Sequence, residues 1–268
     1  MADSFIKRNR GGDNLPGEAA GLRWLADAST TGGVRVVQVI AVDAARLEIT
    51  RVDESRPTVS DAQHFGRALA HTHAAGADWW GTPPAQWLGP AWVGRSHTPL
   101  VMDGALAPHA WGEFYAEYRI GNFARRLRDS GVITMHQQSV FDAVSHRLGA
   151  GEFDVPQPRL VTEAGHRVAR LHGDLWSGNV MYDSGPTGAT LIDPMAHGGH
   201  AETDLAALSV FGFPHLAEVY RAYDAESPLA EGWQERIGLH QLTMIIMHAV
   251  LFGGGYIGQA LELASEYA

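Results

Sequence analysis

Hydrophobic and polar positions follow two different patterns along the chain. The first fifty or so residues mix short apolar runs of strand character with one amphipathic helix, whose apolar positions are Ala19, Leu22 and Leu25. Nearly everything after residue 60 has the spacing of helices. The pattern predicts an α+β protein in two parts, a small lobe over residues 1–54 and a mostly helical lobe over residues 55–268.

The elements of each lobe follow from the same periodicity. Predicted strands lie at 5–7, 34–42, 47–52, 180–182 and 190–192. Predicted helices begin at Pro16 and at Ser60-Asp61, the latter ending at Gly76, and others cover about 110–129, 134–148, 202–211, 214–223 and 232–252. The segment 79–108 is rich in Gly, Pro and Trp without a regular period, so it is predicted to be a long surface loop.

Composition excludes several classes of protein. The chain has 268 residues, no cysteine and a net charge of −10, with no basic run that could follow a phosphate backbone. We therefore expect no thiolate chemistry, no nucleic-acid partner and a cytoplasmic location. The first fifteen residues lack an apolar signal segment. The apolar stretch 242–252 is shorter than the roughly 18 residues that a membrane span needs, so no membrane association is expected.

The segment around residue 174 carries the clearest chemistry. His172 and Asp174 form a His-x-Asp motif, Asn179 follows five residues later, and a predicted hairpin ends in Asp193. Phosphoryl transfer to an alcohol needs this arrangement. Asp174 would accept or orient the proton of the attacking hydroxyl. Asn179 and Asp193 offer the oxygen ligands that suit Mg²⁺ on nucleotide phosphates.

A lysine and a glutamate near the start complete a kinase-like set. Lys7 is the single lysine among 20 basic residues, which suggests a site that needs a compact ammonium group. In kinase-like sites a strand lysine contacts the nucleotide phosphates and pairs with a glutamate of the next helix, a role that Glu18 fits. Backbone groups near Thr50 and Val52, at the end of the predicted strand 47–52, are predicted to contact adenine.

Six segments resemble the fructosamine kinase (ketosamine-3-kinase) family, which is related to the aminoglycoside phosphotransferases. They are residues 18–25, 65–70, 111–119, 171–179, 192–206 and 251–256. The resemblance implies a bilobal protein-kinase-like fold, ATP and Mg²⁺ as cofactors, and phosphorylation of the 3-hydroxyl of a sugar joined through a ketoamine to an amine. It makes residues 1–54 a nucleotide-binding lobe and 55–268 a catalytic and substrate lobe.

The substrate is then expected to be a free or protein-bound ketosamine, and the protein a monomer. Trp176 lies within the catalytic segment, where its ring could stack on a sugar. His200 and Glu202 are further candidates for substrate contact, because an acid near the ketoamine nitrogen would complement its positive charge.

The chain departs from the family pattern in its N-terminal region. Family members begin with a hairpin whose glycine-containing loop covers the phosphates, whereas only six residues precede Lys7 here, and Gly11-Gly12 follows it. We therefore expect a reduced β lobe and weaker nucleotide affinity. Two alternatives stay open: a related kinase for another alcohol, such as an aminoglycoside, a choline-like alcohol or a free sugar, and a catalytically weak pseudokinase.

Three other patterns are interpreted as structural. The glycines at 253, 255 and 258 have the Gly-x-Gly-x-x-Gly spacing of a dinucleotide-binding motif, but they follow a helical stretch without a βαβ context. His197 and His200 could suggest a zinc pair, yet no third ligand follows at a suitable spacing. Asp204, at a helix start, is interpreted as a cap or as a brace for the catalytic loop.

Overall fold

The computed structural model describes residues 3–11, 14–85, 87–89, 91–93 and 96–268. Its strands are β1 (Ser4–Arg8), β2 (Arg35–Val36), β3 (Val39–Val42), β4 (Arg46–Thr50), β5 (Ala91–Val93), β6 (Ser96–Thr98), β7 (Ala169–Leu171), β8 (Val180–Tyr182), β9 (Ala189–Leu191) and β10 (His197–Gly199). Its α-helices are α1 (Leu15–Ser29), α2 (Val59–Ala74), α3 (Trp111–Tyr115), α4 (Asn122–Asp129), α5 (Met135–Gly149), α6 (Arg159–Glu163), α7 (Ala201–Val210), α8 (Leu216–Glu226), α9 (Trp233–Phe252) and α10 (Gly255–Ser265). Short 3₁₀ turns lie at Gly104–Leu106 and Ser177–Asn179.

The first sheet has the order β1-β4-β3 and is antiparallel throughout. Lys7 pairs with Leu47, so the buried side chain of Leu47 anchors the strand that carries the lysine. Helix α1 covers the sheet with Leu15 and Leu22, both fully buried. This packing fixes the position of Lys7 relative to the first turn of α1, where Glu18 lies.

The predicted strand 34–42 is two strands in two different sheets. β3 belongs to the first sheet, whereas β2 pairs in parallel with β9, with Arg35 opposite Thr190. The chain can change sheets here because Val34 and Val37 are both buried, in separate clusters. The predicted lobe boundary at residue 54 is thus crossed by main-chain pairing between β2 and β9.

Helices form the larger part of the molecule. α2 packs along α8, and α9 packs against α7 and α10. The main core cluster includes Phe114, Phe123, Phe141 and Ile246. The predicted helix 110–129 is continuous but contains a π-helical segment, Ala116–Gly121, between α3 and α4. The predicted start of α2 is two residues late, because Thr58 and Asp61 form a capping box that begins the helix at Val59.

The prediction of a surface loop over 79–108 is wrong in part. β5 and β6 pair as an antiparallel hairpin, and Trp80 and Val101 enter the main core. Arg126 donates hydrogen bonds to Ser96 Oγ and to the carbonyl of His97, which ties the hairpin to α4. The loop prediction also covers positions 86, 90, 94 and 95, which lie outside the described residues.

The glycine-rich stretch after α9 is a helix boundary, as the sequence indicated. Gly253 and Gly254 have φ angles of 62° and 60°, which stop α9 and start α10 in a new direction. Helix α10 itself was not predicted. Among the described helices, none combines the length and apolar character needed to cross a membrane.

Candidate active site

A cavity of about 300 Å³ lies where the first sheet, the catalytic segment and the end of α9 meet. Its lining includes the predicted phosphoryl-transfer residues and an apolar stretch of α9: Lys7, Asn14, Glu18, Asp174, Trp176, Asn179, Asp193, Pro194, Met195, Met247, His248, Leu251 and Phe252. Residues far apart in sequence are therefore assembled around one space.

Lys7 lies between two carboxylates. Its Nζ atom is 2.7 Å from Glu18 Oε2 and 3.1 Å from Asp193 Oδ2. Burial alone would lower the pKa of Lys7, but the charges of Glu18 and Asp193 outweigh it and raise that pKa. Burial and the neighbouring Asp193 carboxylate raise the pKa of Glu18 to about 7. The ammonium group is thus held charged beside the residue predicted to bind magnesium.

We call residues 172–179, which follow β7 and contain Asp174, the catalytic loop. It leaves β7 through a glycine that no other residue can replace without strain. Gly173 has a φ angle of 80°, and a Cβ atom there would lie 2.1 Å from the Met195 carbonyl oxygen. The side chain of His172 is fully buried; its Nε2 donates to the Ile192 carbonyl, and its Nδ1 accepts from the Asp174 N–H. The loop is therefore tied to the segment that precedes Asp193.

Asp204 holds the catalytic loop in place through hydrogen bonds to its backbone, which confirms the interpretation of Asp204 as a brace. Its two carboxylate oxygens accept the backbone N–H groups of His172 and Gly173, at 2.7 and 2.9 Å. His73 Nε2 lies 3.3 Å from the same carboxylate, and Tyr223 donates its hydroxyl to His73 Nδ1. Burial would raise the pKa of Asp204, but the bonds from His73 and Gly173 lower it, so the carboxylate stays ionised.

Asp174 and Asn179 form the centre of the site. Asn179 Nδ2 donates to the Asp174 carbonyl at 2.8 Å and to Asp174 Oδ2 at 3.0 Å. Burial raises the pKa of Asp174 to about 7, against the lowering effect of the Asn179 bond. A carboxylate of this kind can accept a proton from a substrate hydroxyl near neutral pH.

The β8–β9 hairpin brings Asp193 back to Asn179. Ile192 N–H donates to the Asn179 carbonyl, and Asp193 has a φ angle of 51° that turns the chain at the end of the hairpin. The Asp193 side chain is 41% exposed towards the cavity. Because the amide nitrogen of Asn179 is used by Asp174, its oxygen is the atom available to a cation. This donor set of carboxylate and amide oxygens fits Mg²⁺.

Comparison with known proteins decides the family. The family model described as fructosamine kinase matches residues 3–267. The chain belongs to the fructosamine kinase family. Similar relatives of this kinase include a probable ketoamine kinase of Klebsiella aerogenes, 33% identical over 93% of this chain and 79% of that one. Another is the chloroplastic protein-ribulosamine 3-kinase of Arabidopsis thaliana, 28% identical over 98% of this chain and 75% of the relative.

Solved structures confirm the α+β, protein-kinase-like fold of this family member. A candidate fructosamine-3-kinase from Thermobifida fusca is 36% identical, with a TM-score of 0.83 over 98% of this chain and 84% of that one. An aminoglycoside phosphotransferase in complex with gentamicin is 9% identical, with a TM-score of 0.60 over 97% and 84% of the two chains. Its membership of the fructosamine kinase family makes the chain a phosphotransferase.

Not every predicted site residue of this fructosamine kinase family member lies at the cavity. Trp176 does, and its ring packs edge-on against Phe211 at 5.6 Å. Thr50 exchanges hydrogen bonds with Gln38 through its N–H and its hydroxyl, and Val52 packs on the core of the first sheet. Among the described residues that line the cavity, neither of these two occurs, so their predicted contact with adenine stays a prediction.

His200 and Glu202 are buried away from the cavity lining. Arg236 donates two hydrogen bonds to the Glu202 carboxylate, of 2.8 and 2.6 Å, and His240 Nε2 lies 3.3 Å from the same carboxylate. Burial would raise the pKa of Glu202, but these partners lower it to about 2. The Glu202 carboxylate is therefore used in an ion pair inside the protein, and His200 is buried and absent from the cavity lining, so the geometry does not support substrate contact by these two residues.

The same cluster does not make a zinc site. His200, Glu202 and His240 offer ligand atoms within 4.8 Å of one another. Burial lowers the pKa of His200 to about 4, so its ring is neutral, and Nδ1 accepts the Glu202 N–H. The ring proton therefore lies on Nε2, so Nδ1 is already in use and Nε2 would have to lose its proton before it could bind a metal. His197, the other member of the suggested zinc pair, directs Nδ1 to the Met195 carbonyl.

Sequence reasoning missed the wall of the cavity formed by α9. Met247, His248, Leu251 and Phe252 line the cavity, although the sequence predicts only a helix over 232–252 and a resemblance to the family over 251–256. The one signal in the sequence was His248, a polar residue inside the apolar stretch 242–252.

Proposed function

We propose that this protein is an ATP-dependent kinase that phosphorylates a sugar hydroxyl of a ketosamine of the fructosamine or ribulosamine type, a deglycation step. One observation carries the proposal: Lys7, Asp174, Asn179 and Asp193, which come from two separate parts of the chain, line one cavity. The names of the relatives, ketoamine kinase and protein-ribulosamine 3-kinase, support the choice of substrate.

Each of these residues has a role in this proposal. Asp174 orients the sugar hydroxyl and takes its proton, since its buried carboxylate has a pKa raised to about 7. Lys7, held by Glu18 at 2.7 Å, positions the nucleotide phosphates. Asn179 and Asp193 would hold Mg²⁺, which neutralises phosphate charge when bound. The protein supplies positioning and charge stabilisation, because phosphoryl transfer needs little else.

The test is ADP release from Mg-ATP with fructosyl-amines and ribulosyl-amines as acceptors. We expect substrate-dependent ADP, and NMR of the product should place the new phosphate on the 3-hydroxyl. A parallel panel of an aminoglycoside, choline and free sugars examines the wider superfamily, whose structural similarity at 9% identity extends to the fold alone. ADP release with one of those alcohols and not with ketosamines would contradict the proposal.

A pseudokinase would give a different result. It would release no ADP with any acceptor, whether or not Mg-ATP raises its melting temperature. The ion pair of Lys7 with Glu18 and the contact of Asn179 with Asp174 favour an active enzyme, because these groups are assembled as phosphoryl transfer requires.

A further inference from the structure

A cluster of aromatic rings lies at one side of the cavity, and three of them, Trp176, His248 and Phe252, line it. His248 is the centre of the group: its ring centroid lies 5.2 Å from that of Phe211, 5.5 Å from that of Phe252 and 5.2 Å from that of Tyr256. Trp176 joins the group through Phe211. Phe252 is 67% exposed and Phe211 is 41% exposed, which is unusual for rings of this size. We call these five residues the aromatic wall.

The hydrogen bonds of His248 determine where its proton lies. Nδ1 is 2.7 Å from the Met244 carbonyl oxygen, which can only accept, so Nδ1 carries the hydrogen. Burial lowers the pKa of His248, so the ring is neutral at pH 7 and Nε2 holds a lone pair. Within the part of the chain that the structure describes, Nε2 has no hydrogen-bond partner. His248 is therefore an unused acceptor in the lining of the cavity.

The remaining lining from α9 has no polar side chain. Met247, Leu251 and Phe252 are apolar, whereas the acidic lining residues that the structure describes belong to the phosphoryl-transfer set: Glu18, Asp174 and Asp193. A substrate whose hydroxyl meets Asp174 would extend its other end along a wall that offers one acceptor and several aromatic faces.

We propose that His248 and the aromatic wall bind the amine side of the acceptor, and this inference rests on the proposed function. A ketoamine nitrogen is a secondary amine that is protonated near neutral pH, so it carries N–H donors and a positive charge. Nε2 of His248 accepts one of those donors, and the rings of Trp176 and Phe252 hold the group attached to nitrogen. Aromatic faces attract cations and bury apolar groups. The preferred acceptors are thus ketosamines whose amine bears an apolar or aromatic substituent.

The first experiment compares acceptors on the wild-type protein. Fructosyl-benzylamine and fructosyl-glycine share the sugar and the secondary amine but differ in the group on nitrogen. We expect a KM at least severalfold lower for fructosyl-benzylamine. Phe252→Ala should remove most of this difference, and because Phe252 is 67% exposed the substitution leaves the core intact. Met135→Ala, at an apolar side chain that is 83% exposed and absent from the cavity lining, is the matched control.

The second experiment addresses His248. His248→Phe keeps an aromatic ring but removes the acceptor, so the KM for both ketosamines should rise about ten- to hundredfold while the KM for ATP stays unchanged. His248→Gln, whose amide oxygen can accept a hydrogen bond, should retain more of the affinity than the phenylalanine variant. Calorimetric Kd values for fructosyl-benzylamine, measured without ATP, give the same comparison without turnover.

The outcomes distinguish a failure of this inference from a failure of the proposed function. If wild-type protein releases ADP with ketosamines but His248→Phe and Phe252→Ala leave their KM and Kd unchanged, the aromatic wall is not the amine site and this inference is overturned alone. If no ketosamine elicits ADP or binds, the proposed function fails and takes the inference with it.

Discussion

Two residues next to the reacting groups have left-handed backbone conformations. Gly173 has φ 80° and Asp193 has φ 51°, and each directs the chain so that Asp174 or its own carboxylate reaches the cavity. At Gly173 a close contact adds to this constraint, because the Met195 carbonyl oxygen lies only 2.1 Å from the position that a Cβ atom would take. The shape of the loop is thus fixed by one position without a side chain.

Gly173→Ala should lower both kcat and stability. The clash with the Met195 carbonyl forces the loop to shift, and left-handed strain adds about 1–3 kcal/mol to the loss. Gly131→Ala is the matched control, since Gly131 has φ 72° but open space around it. We expect this control to lose about 1 kcal/mol of stability and no activity. Chemical denaturation and ADP release measure the two effects, and equal activity in the two variants would contradict the role of the clash.

Asp174→Asn tests the group that is proposed to take the hydroxyl proton. The amide cannot accept that proton, so kcat should fall by roughly 10²- to 10⁴-fold while Mg-ATP still binds. Steady-state kinetics with a fructosyl-amine and equilibrium nucleotide binding separate the two quantities. Asp129→Asn, at a carboxylate whose side chain is 64% exposed, serves as control. An unchanged kcat in Asp174→Asn would remove Asp174 from the mechanism.

At the scale of elements, one buried ion pair joins α7 to α9. Glu202 and Arg236 are 4% and 11% exposed, and two hydrogen bonds connect them. Replacing one partner of such a pair leaves the other charge buried and uncompensated, which costs about 3–5 kcal/mol. This pair therefore fixes α9, the helix that contributes His248 to the cavity.

Glu202→Gln should lose this stability and also change its dependence on pH. The pKa of Glu202 is lowered to about 2 from an ordinary 4.5, so its contribution is present above pH 4.5 and is lost as the pH falls towards 2. The difference in unfolding free energy between wild type and Glu202→Gln should thus shrink over that interval. Glu163→Gln, which breaks an exposed pair with Arg159, should differ from wild type by less than about 1 kcal/mol throughout. A constant difference for Glu202→Gln would contradict the ion-pair origin.

Elements with strong local patterns could be predicted, and those set by distant contacts could not. The strands around Lys7 and the hairpin between Asn179 and Asp193 follow from alternation and turn residues. The division of 34–42 between two sheets depends on β9, which is about 150 residues away in sequence. The β5–β6 hairpin likewise depends on Arg126 of α4. Local spacing carries no information about such partners.

The residues of the candidate site likewise divide into those that local sequence could predict and those that it could not. Asp174, Asn179 and Asp193 share one short segment, so their spacing alone indicated a common task. Lys7 and Glu18 could be added because a strand lysine and a helix glutamate form a recurring pair. Sequence neighbourhood misled for His200 and Glu202, which follow Asp193 closely but turn inward to Arg236. The cavity lining from α9 could not be predicted, because an apolar helix face has the same sequence pattern whether it packs on the core or lines a cavity.

At the scale of the whole molecule, main-chain bonds join the N-terminal part to the catalytic hairpin. Beyond the β2–β9 pairing, Val37 N–H donates to the Leu191 carbonyl at 3.2 Å. Lys7 adds a side-chain link to Asp193. A ligand that bridges Lys7 and the hairpin should therefore stabilise both parts together.

Mg-ATP at about 100 times its Kd should stabilise the protein by about 2.7 kcal/mol, which corresponds to a rise in Tm of roughly 5–11 °C. Lys7→Met should reduce the rise by weakening phosphate binding, whereas Asp174→Asn should keep it. Differential scanning fluorimetry at several nucleotide concentrations checks both. A full shift in Lys7→Met would show that the ammonium group does not contact the nucleotide.

The aromatic wall is encoded mostly downstream of the groups that transfer phosphate. Phe211, His248, Phe252 and Tyr256 all follow Asp193 in the chain, and both exposed rings, Phe211 and Phe252, contact His248. Apart from Trp176, the residues proposed to determine acceptor preference are therefore separate in the gene from those proposed to transfer phosphate. Libraries randomised at positions 211 and 252, or chimaeras that exchange this late segment between relatives, should change the range of accepted amines while Lys7, Asp174, Asn179 and Asp193 are inherited unchanged.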